Sequence, residues 1–302
     1  MTHSKVYFGH QILFLFLVSL VCCLPLNYFT TFSNLQVYLT LILFFGLGIP
    51  HGALDFSLGE KLLQPQFGSS WRIIFILAYM LCVGFIVLCW LQFPLPSFFF
   101  FIAISAFHFG FSDRLNRSGM IGVLEGLGRG LLPIALPAYF YFHLFQELVE
   151  SSLSDAQALL LVRIVKLFFY PDLILLIVVI FYGFMKRDKS NIMNSLELIS
   201  LLILFLSLKP FAAFLIYFCF LHSFRHILYV LEETNRLFNR ESVKWLIVEA
   251  LPATAVTLLA LVICYLTLEQ KAIDVPTMLN LFFISLAALT FPHMILVEAV
   301  KN

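Results

Sequence analysis

Charged side chains are scarce in this 302-residue chain, at 12% of positions, against about a quarter in an average soluble domain. So few polar groups cannot cover a water-facing globule of this length. That scarcity excludes an ordinary soluble enzyme and a disordered chain. An excess of basic charge is also lacking. Eighteen Lys and Arg stand against seventeen Asp and Glu, a net charge of +1, so no basic footprint points to nucleic acid. The six cysteines (Cys22, Cys23, Cys82, Cys89, Cys219 and Cys264) form no CxxC pair and all sit in apolar runs. They read as small buried hydrophobes rather than a zinc or disulfide framework. The first apolar run lacks a small-x-small cleavage site and is preceded by Lys5, so it reads as a span and not a signal peptide.

What is present is hydrocarbon. Hydrophobic residues make up 62% of the chain, and mean hydropathy is +1.00. About 20 apolar residues are needed to cross a bilayer core as a helix. Ten segments qualify: Gln11–Leu26, Leu35–Leu54, Trp71–Gln92, Leu95–Ser112, Gly119–Phe145, Ala156–Met185, Ile192–Leu208, Pro210–Val230, Val243–Leu268 and Pro276–Val300. The sixth holds Arg163, Lys166 and Pro171, which suggests a lying helix followed by a short crossing. The expected fold is therefore an all-α polytopic bundle of eight to ten spans, one integral membrane domain over residues 1–302. Lys and Arg accumulate on the cytoplasmic side of such proteins. With the N-terminus inside, twelve basic residues fall in inner segments and only Lys209 and Lys271 in outer ones. This places both termini in the cytoplasm of a multi-pass cell-membrane protein.

Two features within the spans concern packing. Gly122, Gly126 and Gly130 form a small-xxx-small ladder of the kind that lets helix backbones approach in lipid. Glu125 and Arg129, four apart on the same helix, form an internal ion pair.

Histidines carry the chemistry. His51, His108, His222, His226 and His293 lie on the second, fourth, eighth and tenth spans, which all run in one direction. At 1.5 Å per residue they sit roughly 18–26 Å below the start of their spans. Five imidazoles thus share one slab of the inner bilayer half. His222 and His226 are four apart on one helix face, so they can grip one metal ion. His51 and His108 can add two nitrogens from neighbouring spans. Acidic residues follow the histidines: Asp55 four after His51, Asp113 five after His108, Glu298 five after His293. Carboxylates commonly hold the second nitrogen of a metal-bound imidazole. Asp55 shares a helical face with His51 and is the first such candidate. Asp113 is equally readable as a helix-end group paired with Arg114 or Arg117. His3, His10 and His143 read as solvated or interfacial. His293 is read as ligand, supporting residue or substrate contact.

Four imidazoles would close a structural zinc site, whereas iron or copper also accepts imidazole, and iron would keep open positions for dioxygen. The 36 phenylalanines, Phe98–Phe101, Phe107, Phe109 and Phe111 among them, can line a path for an apolar substrate or simply face lipid. A haem-b electron carrier, a proton-coupled transporter with an intramembrane relay and a zinc hydrolase are the competing readings.

Four blocks resemble one known family. They are Gly48-Ile49-Pro50-His51-Gly52-Ala53-Leu54-Asp55, Phe107-His108-Phe109-Gly110, His222-Ser223-Phe224-Arg225-His226, and Phe291-Pro292-His293-Met294 through Glu298. In order and spacing they look like the signature blocks of the Brp/Blh membrane β-carotene 15,15′-dioxygenases, over nearly the whole chain. The resemblance implies an enzyme that splits the central double bond of β-carotene with O2 into two all-trans-retinal molecules. It implies iron(II) held by His51, His108, His222 and His226, with Asp55, Asp113, His293 and Glu298 in support or against substrate. It implies β-carotene entering from the lipid, and a functional link to a retinal-binding rhodopsin.

Overall fold

In the computed structural model, residues 3–23, 43, 46, 48–116, 119–268 and 275–301 are described. Every regular element among them is helical. The helices are α1 (His3–Cys23), α2 (Ile49–Ala53), α3 (Asp55–Phe67), α4 (Trp71–Gln92), α5 (Pro94–Asp113), α6 (Gly119–Phe140) and α7 (Phe142–Glu150). Then come α8 (Asp155–Lys166), α9 (Phe169–Lys186), α10 (Lys189–Ser207), α11 (Pro210–Ile216), α12 (Ser223–Glu233), α13 (Arg240–Leu268) and α14 (Val275–Lys301). A π-helical turn, Tyr217–His222, joins α11 to α12. Nine segments among the described residues are long and apolar enough to cross a membrane. Their outer faces carry the exposed Leu, Ile and Phe side chains, as lipid contact demands. The first half of the expected second span, residues 35–42, lies outside the described residues.

The expected sixth span is two helices. Leu167 and Phe168 donate to carbonyls three residues back, Ile164 and Val165, which tightens the chain and re-aims it. α8 starts at a capping box formed by Ser154 and Gln157. It buries Ala158, Leu161 and Val162 against α6 and α7, and turns Arg163 outward. The expected fifth span also stops early, at Phe140, and α7 follows as a separate amphipathic piece.

The glycine ladder does what its spacing promises. α5 and α6 cross so closely that a Cβ at Gly110 would collide with the Gly126 carbonyl, and one at Gly130 with the Ala106 carbonyl. Only glycine permits this approach, and it pins His108 on α5 to a rigid neighbour.

The ion pair is part of a larger buried network. Arg129 donates to Glu125 (2.8 Å), Glu197 (2.7 Å) and Asn194 (2.5 Å). Arg225 donates to both Glu197 oxygens (2.7 and 2.6 Å) and to the Asp113 carbonyl. Gln11 adds a bond to Glu197 (3.0 Å), and the Leu115 and Asn116 amides cap Glu125. Four side chains of full charge, each 4% exposed or less, thus tie together α1, α5, α6, α10 and α12.

Candidate metal centre

The five in-span histidines converge, each 8% exposed or less. His51 has its ring centroid 5.6 Å from His222, 5.5 Å from His226 and 5.3 Å from His293. His108 lies 5.0 Å from His222 and 4.9 Å from His293, and His226 lies 4.7 Å from His293. The rings meet edge to face, with interplanar angles of 67–87° across these pairs. Imidazoles this close and this steeply inclined leave no plane for a porphyrin.

Local structure aims each ring. Pro50 stands in the first turn of α2 and His51 follows it; Ser223 Oγ lies 3.2 Å from His51 Nδ1, and the Gly48 carbonyl also meets that nitrogen. The π turn puts Tyr217 and His222, five residues apart, on one face, as i→i+5 winding does. Both then reach one carboxylate: Tyr217 donates to Asp113 Oδ2 (2.7 Å), and His222 Nδ1 lies 3.2 Å from Asp113 Oδ1. A second unit repeats the pattern. Tyr79 donates to Asp55 Oδ2 (2.9 Å), and His293 Nδ1 lies 2.6 Å from Asp55 Oδ1. His108 Nδ1 is 3.5 Å from Ser112 Oγ.

With Nδ1 of His51, His108, His222 and His293 tied back in this way, the second donors of these rings are their Nε2 atoms. Those of His108, His222, His226 and His293 are buried and find no hydrogen-bond partner among the described residues. An unsatisfied buried polar atom costs about 1–3 kcal/mol. Four together fit a set of neutral nitrogen donors for a metal ion, with carboxylates fixing the tautomer. The donor atoms of Asp55, His226 and His293 lie within 4.8 Å of one another. Both Asp55 oxygens are engaged by Tyr79 and His293, so its role here is to hold His293.

The expected residues therefore fall as follows. His51, His108, His222 and His226 are together, and His293 is among them on equal terms. Asp55 serves His293, not His51, because α2 ends at Ala53 and the turn at Leu54 takes Asp55 off the helical face of His51. Asp113 serves His222 rather than pairing with Arg114. Glu298 pairs with Lys301 at 2.6 Å, on the lining of a cavity that reaches His222 and His226. His10 is not solvated: it is 6% exposed, stacks on Phe224 at 4.5 Å and lies 2.7 Å from the Phe220 carbonyl. Helical packing of α1 on α12 carries it inside. His143 is exposed as expected.

Sequence reasoning passed over Tyr79, Tyr217, Ser223, Glu197 and Arg225. The last two had a visible signal, since a charge within a span marks an internal polar site. The tyrosines had none, because the π turn that aligns Tyr217 is not written in any periodicity.

Two cavities lie near the centre, the first lined by two of its histidines and the second reaching it through Phe109, which touches His222. One, of about 510 Å³, runs from His222 and His226 past Asp113 and Arg225 to Glu233, Glu298 and Lys301. The other, of about 100 Å³, is walled by Phe98, Phe101, Phe109, Phe214 and Phe283, with Ser105 on its lining.

No solved structure matches the chain. A protein of uncultured marine bacterium 66A03, named β-carotene 15,15′-dioxygenase, is 29% identical over 261 residues, covering 86% of this chain and 91% of that protein. The profile of the β-carotene 15,15′-dioxygenase family matches residues 41–301, and the chain belongs to that family.

Proposed function

We propose that this chain cleaves the central double bond of β-carotene with O2, giving two molecules of all-trans-retinal. The observation that carries the reading is the set of four buried, unpartnered Nε2 atoms at the meeting point of α5, α12, α14 and the π turn. Family membership supplies the substrate.

The reaction balances without a further reductant. The C=C bond breaks, each carbon takes one oxygen atom of O2, and no proton or leaving group departs. His51, His108, His222 and His226 would hold iron(II), and His293, whose Nε2 is also unpartnered and whose ring lies 4.7–5.3 Å from those of His51, His108 and His226, would be a further donor. Bound there, the ion supplies activation of dioxygen. The protein's share is positioning and dryness. Asp113 and Asp55 accept from the Nδ1–H groups of His222 and His293, which fixes the tautomer whose lone pair lies on Nε2. Tyr217 and Tyr79 fix the carboxylates in turn. Phe109 and Phe218 pack on the His222 ring, and Phe218 on that of His51, so one side of the centre is apolar; an apolar substrate dissolved in lipid needs no aqueous mouth.

The basic residue distribution supports cytoplasmic termini, which would set the polar cavity at Lys301 toward the cytoplasm and the centre in the inner bilayer half. The whole chain would act as one membrane domain, and its product would serve a retinal-binding rhodopsin. Expression in cells that accumulate β-carotene tests the activity. Loss of orange colour with appearance of retinal is expected. Unchanged carotene with a folded, iron-loaded protein would overturn the reading.

A further inference from the structure

A hydrocarbon polyene offers no polar atom by which a protein can fix its position lengthwise. No hydrogen bond can tell the central double bond from the next one along. Register must come from where an end group stops.

The small apolar cavity has the features of such a stop. Its volume, about 100 Å³, lies below the ~300 Å³ at which whole-ligand pockets begin. It is a cup for an end group, not a tunnel for the full chain. Its far end is built by Phe98 of α5 and by Phe145 and Val149 of α7. Phe98 is 2% exposed and backed by Trp90 at 5.2 Å and Phe283 at 5.3 Å. Val149 is 1% exposed. Behind the cavity this wall is closely backed by Trp90. The near end is Ser105 and Phe109. Ser105 stands one turn before His108 on α5, and Phe109 touches the His222 ring at 4.7 Å. From Phe98 to His108 is ten residues of straight helix, roughly 15 Å. A rigid helix therefore carries both the stop and a ring of the metal centre.

We infer that the cup seats one hydrocarbon end group of the carotenoid, and that the Phe98–Val149 wall fixes which double bond meets the histidines. The inference rests on the carotenoid-cleaving reading above and adds the determinant of its regiochemistry. Ser105, 3% exposed and with an unpartnered hydroxyl, marks the point where the polyene leaves the cup for the centre.

The test reads product identity, which a merely structural role would not alter. β-Carotene is symmetric, so a central cut gives two identical aldehydes. Phe98→Ala, Phe145→Ala and Val149→Ala deepen the cup, and Val149→Phe makes it shallower. Chromatography with mass detection should find two unequal aldehydes beside the identical pair in deepened and shallowed variants alike. Phe145 is only half-buried, so its variant is the least exposed to folding loss. Ser105→Phe fills the near end, and should reduce severalfold the β-carotene that the metal-free full chain retains on purification. Should the wall variants give only the identical pair, at whatever rate, the stop is elsewhere and the inference falls. Should Ser105→Phe retain carotene like the parent, the cup is not the seat. A parent protein that yields no aldehyde from any carotenoid would instead take down the functional reading, and the retention measurement would still decide whether the cup binds.

Discussion

Two polar sites are buried side by side in this apolar bundle, and they differ in one respect. In the network of Glu125, Arg129, Glu197 and Arg225, each carboxylate oxygen named above meets a donor at 2.6–3.0 Å, and a single guanidinium nitrogen, Arg225 Nε, finds no partner among the described residues. In the histidine cluster, four ring nitrogens meet none among the described residues. The contrast is sharpest within one short run. In His222-Ser223-Phe224-Arg225-His226, the arginine turns to the closed network and the two histidines to the open cluster. A buried network whose carboxylates are satisfied specifies and rigidifies a fold. A convergent set left unsatisfied keeps its capacity for a ligand. The bundle thus holds its open site in place by a closed one.

The comparison can be broken from either side. The largest effect is expected at the open site. His222→Ala and His226→Ala should each abolish iron binding and carotene cleavage while leaving the thermal midpoint of the detergent-solubilised protein nearly unchanged. Metal analysis and calorimetry on the same sample check this; a variant that keeps full turnover would remove that histidine from the ligand set. At the closed site the balance reverses. Glu197→Ala takes the carboxylate from the buried Arg225 and one of the two from Arg129, and should cost about 3–5 kcal/mol of stability, read as a large fall in melting temperature or loss of folded protein. A chelator separates the sites without mutation: it should extinguish activity, be reversed by added iron(II), and leave helical content intact by circular dichroism. Smaller effects come from the hydroxyls behind the carboxylates. Tyr217→Phe and Tyr79→Phe should each weaken metal affinity by about tenfold, measured by competition with a chromogenic chelator, with unchanged melting. The smallest lies far from both sites. Asp188 caps α10 at the Asn191 amide (3.0 Å), and the Asn191 side chain and amide hold its carboxyl below the usual range. The cap's contribution is present above the ordinary carboxylate pKa and is lost as pH falls through the lowered one. Asp188→Ala should flatten that acid limb of the melting curve and leave metal content alone.

How legible these sites were in the sequence follows from the physics of each. The His222 and His226 pair was visible because four residues make one helical turn. The shared depth of five histidines was visible because rise per residue is constant. The partnership of Asp55 with His293 was not, because it spans 238 residues and depends on a break at Leu54. Nor was the depth of His10, set by α1 lying on α12. The Glu125–Arg129 pair could be read locally, but its extension to Glu197 and Arg225 is made between helices.

The sequence by itself determined that this chain is a membrane bundle, because scarcity of charge and runs of about 20 apolar residues admit no other solvent. It also determined which histidines share a level, since helix geometry converts residue number into depth. Only the tertiary structure decided which side chains meet across that level. Crossing partners, the close approach at Gly110 and Gly130, the π turn that aligns Tyr217 with His222, and the stop at Phe98 arise from contacts between distant segments. Helical periodicity fixes height along an axis and carries no information about which helix stands opposite.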